Sequence, residues 1–113
     1  MIAEQARETA EAAAWDGDVA ACGGSLLQSW LWGEFKRRGG WTVERVRVER
    51  GGQIGLAQVL VRAKGPVSIG YVPRGPIFSA REPELARALF AAIDRVCRRH
   101  RALSLIVEPE SPL

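Results

Sequence analysis

The chain has one histidine, two cysteines, one methionine and one tyrosine, and each scarcity closes off a kind of chemistry. Cys22 and Cys97 stand far apart, with no CxxC and no histidine at metal-ligand spacing, so zinc coordination has no frame. Cys97 shares an apolar helical stripe with Ile93 and Val96 and reads as a small buried hydrophobe. His100 falls in a basic helix end rather than beside a nucleophile, which leaves Ser–His and Cys–His catalysis unsupported. No GxxxxGK(S/T) loop and no GxGxxG following a strand is present. No apolar run approaches the roughly 18 residues of a membrane span. Met1-Ile2-Ala3-Glu4-Gln5 lacks the basic and apolar regions of a secretion signal, so a cytoplasmic chain is expected.

What is present is an ordinary globular composition: 113 residues, 47% hydrophobic and 26% charged, enough for one domain. Lys+Arg 16 against Asp+Glu 13 gives a net charge of +3, and Lys36 and Lys64 are the only lysines. Arginine suits bidentate contact with phosphate or carboxylate. The one basic cluster, Arg98-Arg99-His100-Arg101, is better read as cations complementing a helix C-terminus than as a nucleic-acid patch.

Residues 3–14 are rich in helix formers, and Asp16-Gly17-Asp18 starts a brief second turn that Gly23-Gly24 stops. Ser25 then caps a helix reaching Arg38, with Leu27, Trp30, Leu31, Glu34 and Phe35 as its core-facing stripe. Beyond Trp41 the period becomes two: Val46 and Val48 alternate with charged residues, Gly51-Gly52 marks a hairpin, and Ile54 to Val61 reads as an interior strand. Val67 to Val72 forms a third strand, and Pro73-Arg74-Gly75-Pro76 ends it. Pro83 opens a long helix with Leu85, Leu89, Ile93 and Val96 on its core face. Leu103 to Glu108 is the last strand, stopped by Pro109. The class expected is α+β with a mixed sheet, its final strand–helix–strand a parallel, right-handed crossover. Residues 1–14 read as a helical extension and 15–113 as the folded unit.

Two segments carry a family likeness. Leu27-Gln28-Ser29-Trp30-Leu31-Trp32-Gly33-Glu34-Phe35-Lys36, followed by Gly40-Trp41, resembles the N-terminal signature of FemA/FemB/FemX-type peptidoglycan aminoacyltransferases. Tyr71-Val72-Pro73-Arg74-Gly75-Pro76-Ile77 resembles their second signature. The element order between them resembles the N-terminal half of a GNAT-like fold. The resemblance implies an enzyme that moves an amino acid from aminoacyl-tRNA onto the stem peptide of a cell-wall precursor, either UDP-MurNAc-peptide or lipid-linked, during cross-bridge formation. It implies no acyl-CoA, metal or nucleotide cofactor, a peripheral contact with the inner membrane face, and a second, C-terminal subdomain. Because the likeness covers only the front of the family's first subdomain, a truncated chain that is inactive alone is expected.

Carried over residue by residue, Lys36 is the lysine that meets the precursor's phosphates, although a solvated lysine fits the residues alone. Trp32, one turn earlier, reads equally as a cation–π partner for Lys36 and as a flanking core aromatic. Tyr71 and Arg74 would orient precursor and clamp phosphate or carboxylate; their plainer reading is a sheet-face tyrosine and an exposed turn arginine. Gln28 reads either as a ligand contact or as an internal hydrogen-bonding group. Pro73, Gly75 and Pro76 shape the loop. Ser79-Ala80-Arg81 stands where many relatives carry an acidic residue, Leu31 where many carry a polar one, and no residue qualifies as a general base, so catalytic residues are unassigned. A pocket is expected between the first signature helix and the Tyr71–Pro76 turn. Two other readings were weighed: an acyl-CoA-dependent GNAT acyltransferase, which the two prolines disfavour because its phosphate loop needs free amides, and a non-catalytic RNA module using Trp30, Trp32, Trp41 and Tyr71, which Trp30's place on the apolar stripe disfavours.

Overall fold

The computed structural model describes residues 2–108. Helix α1 (Ile2–Ala21) leads through a 3-10 turn (Leu26–Gln28) into α2 (Trp30–Arg38). Then come β1 (Thr42–Arg50), β2 (Gln53–Lys64), β3 (Val67–Pro73), β4 (Ile77–Phe78), α3 (Pro83–Arg99) and β5 (Ala102–Glu108). The expected α+β class and strand order stand, with the sheet running β1-β2-β3-β5 and β4 also on β2. Among the described residues only β3 and β5 pair in parallel, so the sheet is mixed.

The β1–β2 hairpin turns through Gly51 and Gly52, whose φ values of 56° and 79° are open to glycine at little steric cost. One sheet face carries Val46, Ala57, Val59, Val61 and Val72, and α3 lays Leu89, Ala92, Ile93 and Val96 upon it. Every third or fourth residue of α3 is buried, as its sequence period requires. On the opposite face, Trp15 and Val19 of α1 pack with Leu56 and Ile77.

Three of the four residues in the basic cluster ending α3 meet carboxylates. Arg98 meets Asp94 at 2.8 Å, and Glu44 of β1 takes Arg99 at 2.8 Å and His100 at 2.6 Å. Burial pushes the Glu44 carboxyl up, but hydrogen bonds from His100 and Arg99, with their charge, outweigh it and hold its pKa below the ordinary 4.5. A carboxylate depressed in the folded state stabilises fully above its unfolded pKa and ceases to do so as pH falls through the lower, folded value. Glu44→Gln is therefore expected to lower stability at neutral pH and to flatten its fall below about pH 4.5, as read by chemical denaturation across pH.

Three expectations are corrected. The two pieces expected before Gly23 are one helix, α1. Gly17 costs a helix only about 1 kcal/mol, and Trp15 and Val19, one turn apart and both buried, carry the helix across it. The helix expected from Ser25 to Arg38 breaks at Ser29, which is extended (φ −71°, ψ 157°) and caps α2 by accepting the Trp32 N–H. That break rotates the stripe: Leu31 and Phe35 are 74% and 61% exposed, and Gly33 is the residue turned inward. A methyl at Gly33 would strike Gln58 Oε1 and sit 2.6 Å from Arg45 Nη2, so polar groups, not apolar ones, lie under α2. Strand β4 has two residues, too short a pattern to be read from the sequence. Pro109, expected to stop β5, lies outside the described residues.

Candidate substrate-binding face

The second half of β2 (Leu60–Lys64) pairs with β3, while its first part (Gly55, Leu56) pairs with β4 on the same side. Between them the edge of β2 has no strand partner, and the side chain of Gln28 fills the gap. Gln28 is fully buried. Its Oε1 accepts the Gln58 N–H at 2.7 Å, and its Nε2 donates to Pro73 O at 2.6 Å. A side-chain amide thus does here what a strand backbone does elsewhere. Trp15 Nε1 donates to Gln28 O at 2.7 Å, fixing the 3-10 turn from α1.

Gln58, also fully buried, extends the network. Its Nε2 donates to Ser29 O at 2.8 Å, and its Oε1 accepts from Arg45 Nε at 2.9 Å. Arg45 lies 3.6 Å over the Trp30 ring and pairs with Glu34 at 3.0 Å. Burial lowers the Arg45 pKa, opposed by Glu34. Burial likewise raises Glu34, yet hydrogen bonds and charge from Arg45 and Arg37 leave it below the ordinary carboxylate value. Asp16 accepts the Trp30 N–H at 2.8 Å, placing an anion at the start of α2. These groups hold α2 in a fixed position over the sheet.

That position brings the two signature segments together. Lys36 Nζ stands 5.1 Å over the Trp32 ring, the cation–π reading of that pair. The Trp32 ring also meets Phe35 at 5.5 Å, and its indole N–H is buried without an acceptor among the described residues. Lys36 O accepts the Trp41 N–H at 3.1 Å, which tucks the chain back after Gly40. The Trp41 ring then lies 6.4 Å from Tyr71 and 5.5 Å from the Arg62 guanidinium. Leu60 faces Tyr71 and Tyr71 faces Ile106 across the ladders, so Arg62, Tyr71 and Ile106 share the face on which α2 sits. Ile106 is 54% exposed: this end of the face is open.

Arg74 is exposed at φ 55°, a left-handed conformation uncommon for a side-chain-bearing residue and shared here with Arg101 in the α3–β5 turn. Burial raises the Tyr71 pKa, Glu108 raises it further by charge and hydrogen bond, and Arg74 opposes both. Lys36 and Trp32 form one pair and Tyr71 and Arg74 another, with Trp41 between the two segments, while Gln28 braces the segments with its amide turned to the backbone. Trp41, Arg62 and Glu108 contact this arrangement without having been singled out as site residues. Period-two alternation from Tyr71's pairing partners would have found Arg62; nothing local marks Glu108. The apolar cavity of about 370 Å³ on α2 is lined by Leu26, Leu31, Trp32, Glu34, Phe35 and Arg38, without any residue of the turn. Among the described residues no cluster of His, Cys, Asp and Glu is arranged to hold a metal.

Residues 8–113 match the model of the FemAB family. The lipid II:glycine glycyltransferase of Staphylococcus aureus strain bovine RF122 / ET3-1 is 31% identical over 90 residues, 77% of this chain and 21% of its own length. The protein of the same name from strain USA300 is 30% identical with the same coverage. The crystal structure of FemX superposes with a TM-score of 0.79 at 26% identity, covering 88% of this chain and 26% of that one. The chain spans about a fifth of the length of the curated relatives it matches.

Proposed function

Because the chain belongs to the FemAB family, we propose that it forms the front of an aminoacyltransferase building peptidoglycan cross-bridges. The carrying observation is that the two signature segments, remote in sequence, meet at the Trp41–Tyr71 contact and at the Gln28–Pro73 hydrogen bond. In this reading the acceptor is a peptidoglycan precursor, lipid-linked as in the curated relatives' name or carried on UDP, and the donor is aminoacyl-tRNA. Lys36 neutralises the precursor's pyrophosphate as a point charge, steadied by Trp32. Arg74 takes a phosphate or carboxylate in the exposed turn, and Tyr71 offers its hydroxyl beside it. Gln28 positions both halves and touches no substrate.

The reaction joins the stem peptide's amine to the ester carbonyl of the donor; the amine loses a proton, and the tRNA ribose hydroxyl regains one as it leaves. No resident metal or cofactor takes part, and holding amine and ester at reacting distance supplies much of the rate. Residues 1–14 act as an extension, since the first buried side chain of α1 is Trp15. The GNAT-like half formed by residues 15–113 is inactive alone, and within the whole enzyme it works at the cytoplasmic membrane face.

The test mixes the chain with labelled aminoacyl-tRNA and lipid II, with and without a C-terminal subdomain from a relative supplied in the same polypeptide. Amide-linked label on the stem peptide only with the added subdomain is expected. Label transferred from acetyl-CoA instead would overturn the reading in favour of an acyl-CoA enzyme.

A further inference from the structure

We propose that the free edge of β5 is closed by the β5 strand of a second copy of this chain, the two running antiparallel about a twofold axis. The sheet order leaves β1 and β5 at its two edges. Strand β1 is guarded as an exposed edge should be, with Glu44, Arg45, Arg47, Glu49 and Arg50 among its nine residues. Strand β5 has one charged residue in seven, Glu108, and apolar side chains on both faces, the composition of an interior strand. Leu105 packs with Cys97 against the core beneath α3, while Ile106 lies with Tyr71 on the opposite face. Leu103 and Ile106 are 76% and 54% exposed. Phe90 of α3, 44% exposed, lines an open groove of about 340 Å³ along the same edge with Cys97, Leu103 and Leu105.

Charge along the edge selects both the occupant and its direction. Strand β5 begins beside Arg101 and ends at Glu108, and both are exposed. Arg101 is the residue of the basic cluster that meets no carboxylate among the described residues. A second β5 laid antiparallel and centred on Leu105 sets Ser104 opposite Ile106 of the partner subunit and brings Arg101 alongside Glu108 of the partner subunit. A parallel mate would set like charges side by side, which costs stability. The irregularity in the β3–β5 register falls between Ser68 and Ile69, at the start of β5, so Ser104 to Glu108 keep a regular ladder to offer. Because the edge matches itself, one contact satisfies both copies and association closes at the dimer. The charges on β1 keep the far edge from extending it.

The inference stands apart from the proposed function, since its readout is association and not transfer. Sedimentation equilibrium of the chain is expected to show a reversible monomer–dimer equilibrium without larger species. Hydrogen exchange should find the β5 amides more protected as concentration rises. Arg101→Glu alone and Glu108→Arg alone should each weaken the dimer by about tenfold, because the twofold repeats every repulsion. Combined in one chain, the two changes should restore it, which misfolding in either variant would not allow. Leu31→Glu alters an exposed residue of α2, away from this edge, and should leave association unchanged. A chain that stays monomeric at every concentration overturns the proposal and leaves the edge to a strand of another protein. So does a dimer that the combined charge swap fails to restore, or one that Leu31→Glu dissolves.

Discussion

Replacing Gln28 by Leu is expected to cost about 4 kcal/mol, because the Gln58 N–H and the Pro73 carbonyl each lose a buried partner worth roughly 1–3 kcal/mol. In a domain of this size that lowers the melting midpoint by roughly 20 °C. Leucine is of similar volume but branches one bond earlier and offers neither donor nor acceptor, so most of the loss comes from unpaired backbone. Gln28→Glu separates the two bonds. It keeps an oxygen for the Gln58 N–H but sets another against the Pro73 carbonyl, and should cost at least as much near neutral pH. Thermal melts of the three proteins decide the matter: a shift under a few degrees for Gln28→Leu would mean that the gap along β2 is bridged some other way.

Lys36→Ala is expected to weaken the binding of UDP-MurNAc-pentapeptide about thirtyfold, the value of one charged contact of about 2 kcal/mol, with the melting midpoint unchanged. Lys36→Arg keeps the charge and should recover most of the affinity. Calorimetric titration at two salt concentrations gives a further sign, since losing a cation flattens the salt dependence. Undiminished affinity in the alanine variant would remove Lys36 from the site and move the phosphate contact to Arg62 or Arg74.

Much of this molecule was legible because its signals are local. Gly51-Gly52 needs no tertiary partner to announce a turn, and Leu85, Leu89, Ile93 and Val96 keep helical spacing because a single sheet face receives them. The errors lie where a distant group decides. Leu31 and Phe35 fit an inward stripe by spacing, and only the Gln58–Arg45–Glu34 network beneath Gly33 turns them outward. Gln28 could be read as ligand or brace, since an amide's role depends on which backbone has a gap for it. That Lys36, Tyr71 and Arg74 share one site is what the resemblance implies, and periodicity does not speak to it; the contact between the two segments, Trp41 on Tyr71, is invisible to any local pattern.

The divided partnership of β2 also orders events in time. Its pairing with β1 closes across two residues and costs little chain entropy, so the hairpin is suited to form early. Gln28 reaches its partners across 30 and 45 residues, and it has nothing to hold until β3 has paired and the chain has turned at Pro73. These contacts of long sequence separation are expected to close last, through a side chain. Since Gln28 ties the 3-10 turn ahead of α2 to Pro73 at the head of the Tyr71–Arg74 turn, the surface proposed to receive substrate is expected to form with these late contacts. Any nascent or partly opened form of the chain would keep its hairpin and have no such surface at all.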